Sequence, residues 1–211
     1  MLKSLAIRLF AALFIFGIRS AGAAGELPVV DYGILRQRDS LAVWIDLAGC
    51  LTSGRLDQLK EGNGLAIEYK VELSRPRRLW GSEQVARKDG FVLIDFRFIT
   101  EDFFLEAPQL GIADSRHLNS VAGLQDFLAD SIIVGLVAWP ALDTQKVYAV
   151  SIEVTSISLS GLNLAAGGPK GDSGSPLKYL FGQFLRLTGF GRQRFSATSR
   201  PFSLSEIASS D

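Results

Sequence analysis

Two stretches of alternating apolar and polar residues, joined by a charged segment, dominate the hydropathy pattern of this chain. In the first, residues 64–73, apolar side chains occupy every second position: Ile67, Tyr69, Val71 and Leu73. In the second, residues 91–100, one register is wholly apolar and the other becomes polar halfway along. A period of two predicts strands, so we expect an antiparallel hairpin here. Pro76 cannot donate a ladder hydrogen bond, and the pairing is therefore predicted to stop near Ser74.

The same reasoning predicts the remaining elements. Alternation or short apolar runs indicate further strands at 27–37, 41–48, 131–139 and 146–159, with a continued helix as the alternative for 131–139. Capping residues followed by apolar residues at helical spacing predict two helices, one after Thr52 or Ser53 and one from Asn119 or Ser120 to Asp130. Residues 101–107 are expected to form an irregular link. The predicted fold is mainly β, an antiparallel β-sandwich with two or three short helices; an α+β antiparallel sheet with helices on one face is the alternative.

The N-terminal residues have the pattern of a secretory signal peptide. Lys3 and Arg8 precede an apolar run over 9–18, and the small residues at 21–23 provide a cleavage site. A run of this length is about half of what a membrane-spanning helix requires. We therefore expect export, with the periplasm as the destination. The full division is a signal peptide over 1–23, a strand-rich domain over 26–162, a Gly/Ser-rich loop over 163–175 and a basic amphipathic segment over 176–211.

Charge and cysteine content narrow the class of protein. The chain has 22 basic and 22 acidic residues, and cleavage after residue 23 would remove three basic ones and leave a formal charge of about −3. A generic nucleic-acid binder is therefore not expected. One cysteine permits no internal disulfide. Cys50 ends a lipoprotein-type box, but no apolar export run precedes it, so we interpret it as the end of a strand rather than a lipid anchor.

The C-terminal segment leaves two alternatives open. From Lys170 to Arg200 there are six basic residues against one acidic residue, and apolar side chains recur at helical spacing over 176–190. Such a segment can lie on an anionic membrane surface. The favoured alternative is a final helix packed on the sheet and followed by a short strand over 193–199.

The order of these elements resembles that of an exported bacterial family, domain of unknown function 4390. The resemblance rests on the run Leu56–Leu65, the block IEYKVELSRPRRLW, the phrase Asp95–Thr100, the helix AGLQDFLAD and the strand KVYAVSIEV. It covers most of 27–162 and does not extend to the tail, where the family's tryptophan-bearing final strand is missing. The resemblance implies export, a strand-rich domain and no cofactor.

Motifs for chemistry are weak. Residues 171–176 resemble the nucleophile box of chymotrypsin-like serine proteases around Ser173, with His117 and Asp143 in the matching order. The short separation of His117 from Ser173 and the absence of strand patterns around the box count against a hydrolase. One histidine and one cysteine disfavour a zinc site. The carboxylates Glu101 and Asp102 are expected to be solvated, as is His117.

These observations predict a non-enzymatic exported domain that acts through protein contacts, with an envelope protein as partner. The predicted contact surface combines the hairpin turn and the tail: Arg75, Arg77, Arg78, Trp80, Phe181, Phe184 and Arg186. Membrane-surface contact through the tail is a further expectation, and neither a catalytic residue, a metal nor a cofactor is predicted. The alternative is a carrier of lipid or another apolar ligand, with a cavity lined by Phe91, Phe96 and Phe98. A serine hydrolase ranks third.

Overall fold

The computed structural model describes six ranges of the chain: 30–77, 81–107, 112–130, 132–159, 192–207 and 209–210. The predicted signal peptide, the Gly/Ser-rich loop and most of the tail lie outside the described residues.

The fold is mainly β, as predicted, and its strands form two sheets. The strands are β1 Asp31–Gln37, β2 Ser40–Asp46, β3 Gly64–Pro76, β4 Ser82–Arg97, β5 Asp102–Ala107, β6 Ile112–Leu118, β7 Ile132–Ala138, β8 Val147–Leu159, β9 Arg192–Thr198, β10 Phe202–Ser203 and β11 Ser209–Ser210. One sheet has the order β11–β1–β2–β7, and the other has the order β10–β8–β3–β4–β5–β6, with β9 also paired to β8. All pairs are antiparallel except the short pair β1–β11.

The predicted hairpin is the pair β3–β4, and it is longer than predicted. Pairing continues to Pro76 opposite Ser82, so the prediction that it stops near Ser74 was wrong. The backbone N–H of Arg77 donates to the carbonyl of Gly81, whose φ of 78° suits a residue without a side chain. Ser82–Gly90 is mostly polar because this half of β4 projects into solvent, and main-chain hydrogen bonds pair it without an apolar pattern.

Side chains from both sheets form a single core. The odd-numbered residues of β3 from Leu65 to Leu73 face inward, with the even-numbered residues of β4 and β8 beside them. Leu41, Val43 and Ile45 of β2 join the same core from the other sheet. This arrangement is the predicted sandwich, since each sheet turns one register of side chains toward the other.

Both predicted helices are present. Helix α1 spans Ser53–Lys60, and the Thr52 hydroxyl accepts from the N–H of Arg55 as an N-cap. Helix α2 spans Val121–Asp130 and is capped by Ser120, whose hydroxyl accepts from the N–H of Gly123. The indole N–H of Trp44 donates to the carbonyl of Ala129, which ties α2 to β2. Three short 3-10 turns lie at Ala48–Cys50, Trp139–Ala141 and Leu204–Glu206.

Two longer strands, β5 and β6, were missed, as were the two-residue strands β10 and β11, and one apolar stretch was placed wrongly. The expected irregular link over 101–107 is strand β5, and β6 follows it at the sheet edge. Acidic residues at both ends of the stretch obscured its period. Phe98 and Ile99 were assigned to a strand but belong to the turn between β4 and β5. The predicted strand over 193–199 is confirmed as β9, so residues after the predicted domain end at 162 add strands to these same sheets.

A close approach between Tyr69 and Gly90 offers a test of the packing. The two residues are paired across β3 and β4, and a Cβ at Gly90 would lie 2.5 Å from Cζ of the buried Tyr69 ring. We expect Gly90→Ala to lower the free energy of unfolding by about 1–3 kcal/mol, because the buried ring must shift within the packed core to admit the methyl group. Gly135→Ala is the matched control, since nothing lies within 4 Å of a Cβ there. Urea denaturation of both variants measures the effect, and equal stabilities would contradict it.

Candidate functional site

The turn between β4 and β5 presents two large apolar side chains to solvent. Phe98 is 59% exposed and Ile99 is 99% exposed. The turn spans residues 98–101, between Arg97 and Asp102, which form the last pair of the two strands. Glu101 completes the reversal with a φ of 52°, a left-handed conformation that non-glycine residues adopt infrequently. An apolar pair at the end of a tight turn is the feature that most clearly needs an explanation in this fold.

The side chain of Asp102 connects this turn to the neighbouring strand β6 through hydrogen bonds. Its Oδ1 accepts a hydrogen bond from the hydroxyl of Thr100, and its Oδ2 is bonded to Nδ1 of His117 on β6. A carboxylate only accepts, so Nδ1 of His117 carries the hydrogen in this bond. The Asp102 residue is 6% exposed, which makes this carboxylate a buried junction between the turn and the edge strand. The expectation that Asp102 is solvated was therefore wrong.

Hydrogen bonds determine the ionisation of Asp102. The bond from Thr100 and then the bond from His117 hold the pKa of the Asp102 carboxyl below its usual range, and the charge of Arg97 acts in the same direction. Desolvation opposes these effects, because burial disfavours the charged form. Asp102 therefore remains a carboxylate under all but strongly acidic conditions.

Aromatic rings support the turn from two sides. The guanidinium of Arg97 lies 4.3 Å from the centroid of the Phe104 ring, and Phe104 meets His117 edge to face with 5.5 Å between ring centroids. The Phe98 ring is edge to face with Phe96 at 5.6 Å. Behind it stands Gly62, with a φ of 89°, where a Cβ would approach the Phe98 ring to 3.1 Å. One side of the Phe98 ring therefore contacts the protein, whereas the Ile99 side chain is almost fully exposed to solvent.

The predicted contact residues that the structure describes lie at the opposite end of β4. Arg77 forms an ion pair with Glu83 at 2.8 Å, and Arg75 lies 3.7 Å from the same carboxylate and over the ring of Tyr148. The bond from Arg77 lowers the pKa of Glu83. Two arginines share one carboxylate, so a net positive charge remains at this turn. Outside the described residues lie Arg78, Trp80, Phe181, Phe184 and Arg186.

The hydrolase residues that the structure describes do not come together. His117 on β6 is bonded to Asp102, whereas Asp143 precedes β8 and forms hydrogen bonds with Tyr148 and Gln145. Strands β6 and β8 are separated by β3, β4 and β5, a distance of about 19 Å across the sheet. Ser173 lies outside the described residues. The Asp102–His117 pair has the geometry that orients a catalytic imidazole. Among the described residues, however, no nucleophilic side chain forms a hydrogen bond with Nε2 of His117.

The three phenylalanines of the carrier alternative do not line a common cavity. Phe96 packs against the core, Phe98 is exposed, and Phe91 lies on the opposite face of β4. A shallow recess of about 200 Å³ does occur on the outer face of the larger sheet, but its lining is polar: Glu68, Lys70, Arg87, Glu153 and Thr155. An apolar ligand would find no complementary surface there.

Cys50 is not a reactive or anchoring residue in this fold. Cys50 is fully buried and lies in the 3-10 turn after β2. The prediction that it ends a strand was therefore wrong. Burial raises the pKa of the thiol to about 12, with a smaller contribution from Asp46. The thiol therefore stays protonated at neutral pH. Within the described ranges, no group of three or more His, Cys, Asp or Glu side chains could hold a metal ion.

Sequence reasoning missed the turn because its signals were local and short. Phe98 and Ile99 continue the apolar register of β4, and only the polar residues Thr100–Asp102 mark the reversal. Asp102 and His117 are fifteen positions apart and follow no motif, so their contact depends on the β5–β6 register, in which Phe104 faces His117.

Comparisons with known families, proteins and structures found no match to this chain. The chain matches no protein-family model, no curated protein and no solved structure. The resemblance to domain of unknown function 4390 stays a prediction from the sequence. Among the helices that the structure describes, none has the length and apolar content to span a bilayer.

The Asp102 junction makes a prediction about pH. A carboxyl whose pKa is lowered by folding adds stability above its ordinary range near 4, and this stability is lost as the pH falls through the lowered value. The free energy of unfolding should therefore decrease between pH 5 and pH 2 more steeply in the unaltered protein than in Asp102→Asn. Urea denaturation across this range measures the difference. The exposed residue Asp89, changed to Asn, is the control; an Asp102→Asn profile parallel to that of the unaltered protein would refute the prediction.

Proposed function

We propose that this protein is an exported, non-enzymatic domain that acts through protein contacts at or near the bacterial cell envelope, and that the β4–β5 turn is its contact surface. The observation that carries the proposal is the exposure of Phe98 and Ile99 on a turn whose base is held by Asp102. The signal-peptide pattern of residues 1–23 supports export.

The turn is suited to binding because it is ordered before the partner arrives. Thr100 and His117 hold the carboxylate of Asp102, and Phe96 and Gly62 support the ring of Phe98. A preordered surface loses little conformational entropy when it binds. Full burial of an isoleucine or phenylalanine side chain contributes about 1.5–3 kcal/mol each, so the pair can act as a small anchor in a pocket of the partner.

The charges around the turn favour a protein over a membrane surface. Arg97 and Glu101 flank the apolar pair, and Lys60 and Glu61 lie beside Gly62 at the end of α1. An anionic bilayer attracts surfaces with a basic excess. A mixed polar rim around an apolar centre is instead the usual composition of a protein interface. The partner is therefore expected to offer an apolar pocket with both acidic and basic groups at its edge.

The carrier alternative has no specific support in the described residues. The inward-facing side chains of β2, β3 and β8 are almost fully removed from solvent and pack against one another between the sheets. Interiors packed in this way leave no room for a ligand.

A capture experiment with matched variants tests the proposal. The full chain after residue 23 is used to recover proteins from an envelope extract of its source, beside the double variant Phe98→Ser with Ile99→Ser. Val147→Ser is the control, because Val147 is an exposed apolar residue, 47% accessible, at the other end of the larger sheet. We expect the turn variant to lose a specific protein that the control retains.

The recovered protein is then purified and its dissociation constant is measured with each variant. The turn variant should bind at least tenfold more weakly, and the control should be unchanged. A third variant, Arg75, Arg77 and Arg78 changed to Ala, examines the predicted hairpin-turn surface. Equal binding by the turn variant and the unaltered chain would refute the turn as the contact surface, and recovery of lipid without any enriched protein would refute the contact function itself.

A further inference from the structure

The larger sheet carries a second apolar surface on its outer face. Four apolar residues on this face, which points away from the β1–β2–β7 sheet, are no more than 3% exposed, and Phe91 packs against them: Ala66, Leu93, Ile157 and Leu159. They belong to the register opposite to the core, since Ala66 pairs with Ile157 on one side and with Leu93 on the other. We call these four residues and Phe91 the outer patch.

The outer patch has a sharp boundary. Phe91 shares its row with the polar residues Glu68 and Thr155, and the next row is polar across all three strands, with Glu153, Lys70 and Asp89. Arg194 of β9 forms an ion pair with Glu153 at 2.7 Å on this polar part. A solvated sheet face would be expected to remain polar along its whole length. The apolar rows therefore indicate that one end of the outer face receives another segment.

The path of the chain identifies this segment. Leu159, the last residue of β8, is itself part of the outer patch, and the chain returns as β9 at Arg192, directly opposite Ile157. Leu159 and Arg192, the described residues on either side of 160–191, therefore lie close together at one end of the sheet. Within 160–191, apolar residues recur at the spacing of one helix face: Leu177, Leu180, Phe181, Phe184, Leu185 and Leu187.

We propose that residues 176–190 dock through these apolar side chains onto the outer patch, as a third layer of the domain. A helix of this length would extend about 22 Å, enough to cross β8, β3 and β4, which span about 10 Å. Glu68 and Glu106 border the outer patch on β3 and β5, whereas Arg192 lies opposite Ile157 on β9. The two carboxylates can pair with Lys178 and Arg186 of the segment.

Docking of residues 176–190 does not depend on the proposed function, but it would limit which apolar surfaces are free to bind a partner. If Phe181 and Phe184 are covered by the sheet, they are not available to a partner or a membrane, and the β4–β5 turn is left as the apolar contact surface. Loss of partner binding would leave the docking proposal intact, and failure of docking would leave the turn as a candidate surface.

Nuclear Overhauser effects in the full chain after residue 23 test the docking directly. We expect cross-peaks between the methyl groups of Leu93 and Ile157 and the ring protons of Phe181 or Phe184, in solution without lipid. The absence of any such cross-peak, with both sets of resonances assigned, would overturn the proposal. Cross-peaks from the two rings to the acyl chains of anionic vesicles, in place of the methyl groups, would also overturn it in favour of the membrane-surface alternative.

Protease susceptibility gives a second, independent measurement. Leu93→Glu should increase the rate of trypsin cleavage after Lys178 and Arg186 at least tenfold, because a carboxylate in the outer patch would expel the segment. Glu72→Gln, in the polar part of the same face of β3, is the control and should leave the rate unchanged. Unshifted methyl resonances of the core residue Ile45 would establish that Leu93→Glu remains folded. Equal cleavage rates in a folded Leu93→Glu variant would refute the docking.

Discussion

The fold depends on the pairing of β3 with a long strand on each side. Because side chains alternate between faces along a strand, a shift of one residue in either pairing would exchange the apolar and polar faces of the whole strand. Tyr69 opposite Gly90 fixes the β3–β4 register in addition, since the ring occupies space that any other residue at position 90 would fill. The sandwich core, the outer patch and the position of the β4–β5 turn all follow from this one register.

The second constraint is the carboxylate of Asp102. It joins a turn residue, Thr100, to an edge-strand residue, His117, so the end of β4, the turn and β6 behave as one unit. The main-chain pairing of β5 with β6 changes register between Leu105 and Ala107, which leaves this edge weaker than the centre of the sheet. The side-chain hydrogen bonds of Asp102 add a second connection between this edge and the turn that carries Phe98 and Ile99.

Much of the fold could be predicted from the sequence, because its long elements have clear periods. The alternation in β3 and β8 and the capping residues before α1 and α2 each identified an element from local sequence alone. The polar half of β4 could not be found in this way, since only Val85 and Ala86 are apolar among residues 82–89. Both are partly buried against the core, but two adjacent residues show no period of two. Nor could β5, in which the buried Asp102 stands at the start of an apolar run, or β6, whose sequence IADSRHL shows no regular alternation. The candidate site was missed for the same reason: Asp102 and His117 meet only because of strand register, and the exposure of Ile99 depends on where β4 ends.

The pairing of β3 with β8 has a consequence for how the protein forms. Gly64 lies opposite Leu159, and the whole stretch of chain that contains β4 to β7 separates them in the sequence. Contacts between such distant residues close large loops and slow folding, and the core cannot be completed until β8 has emerged. Until then, β3 is paired with β4 alone, and its other edge has no neighbouring strand. A chain that crosses a membrane unfolded, as the N-terminal pattern predicts for this one, would gain from this delay, because no stable structure can form before β8 has crossed.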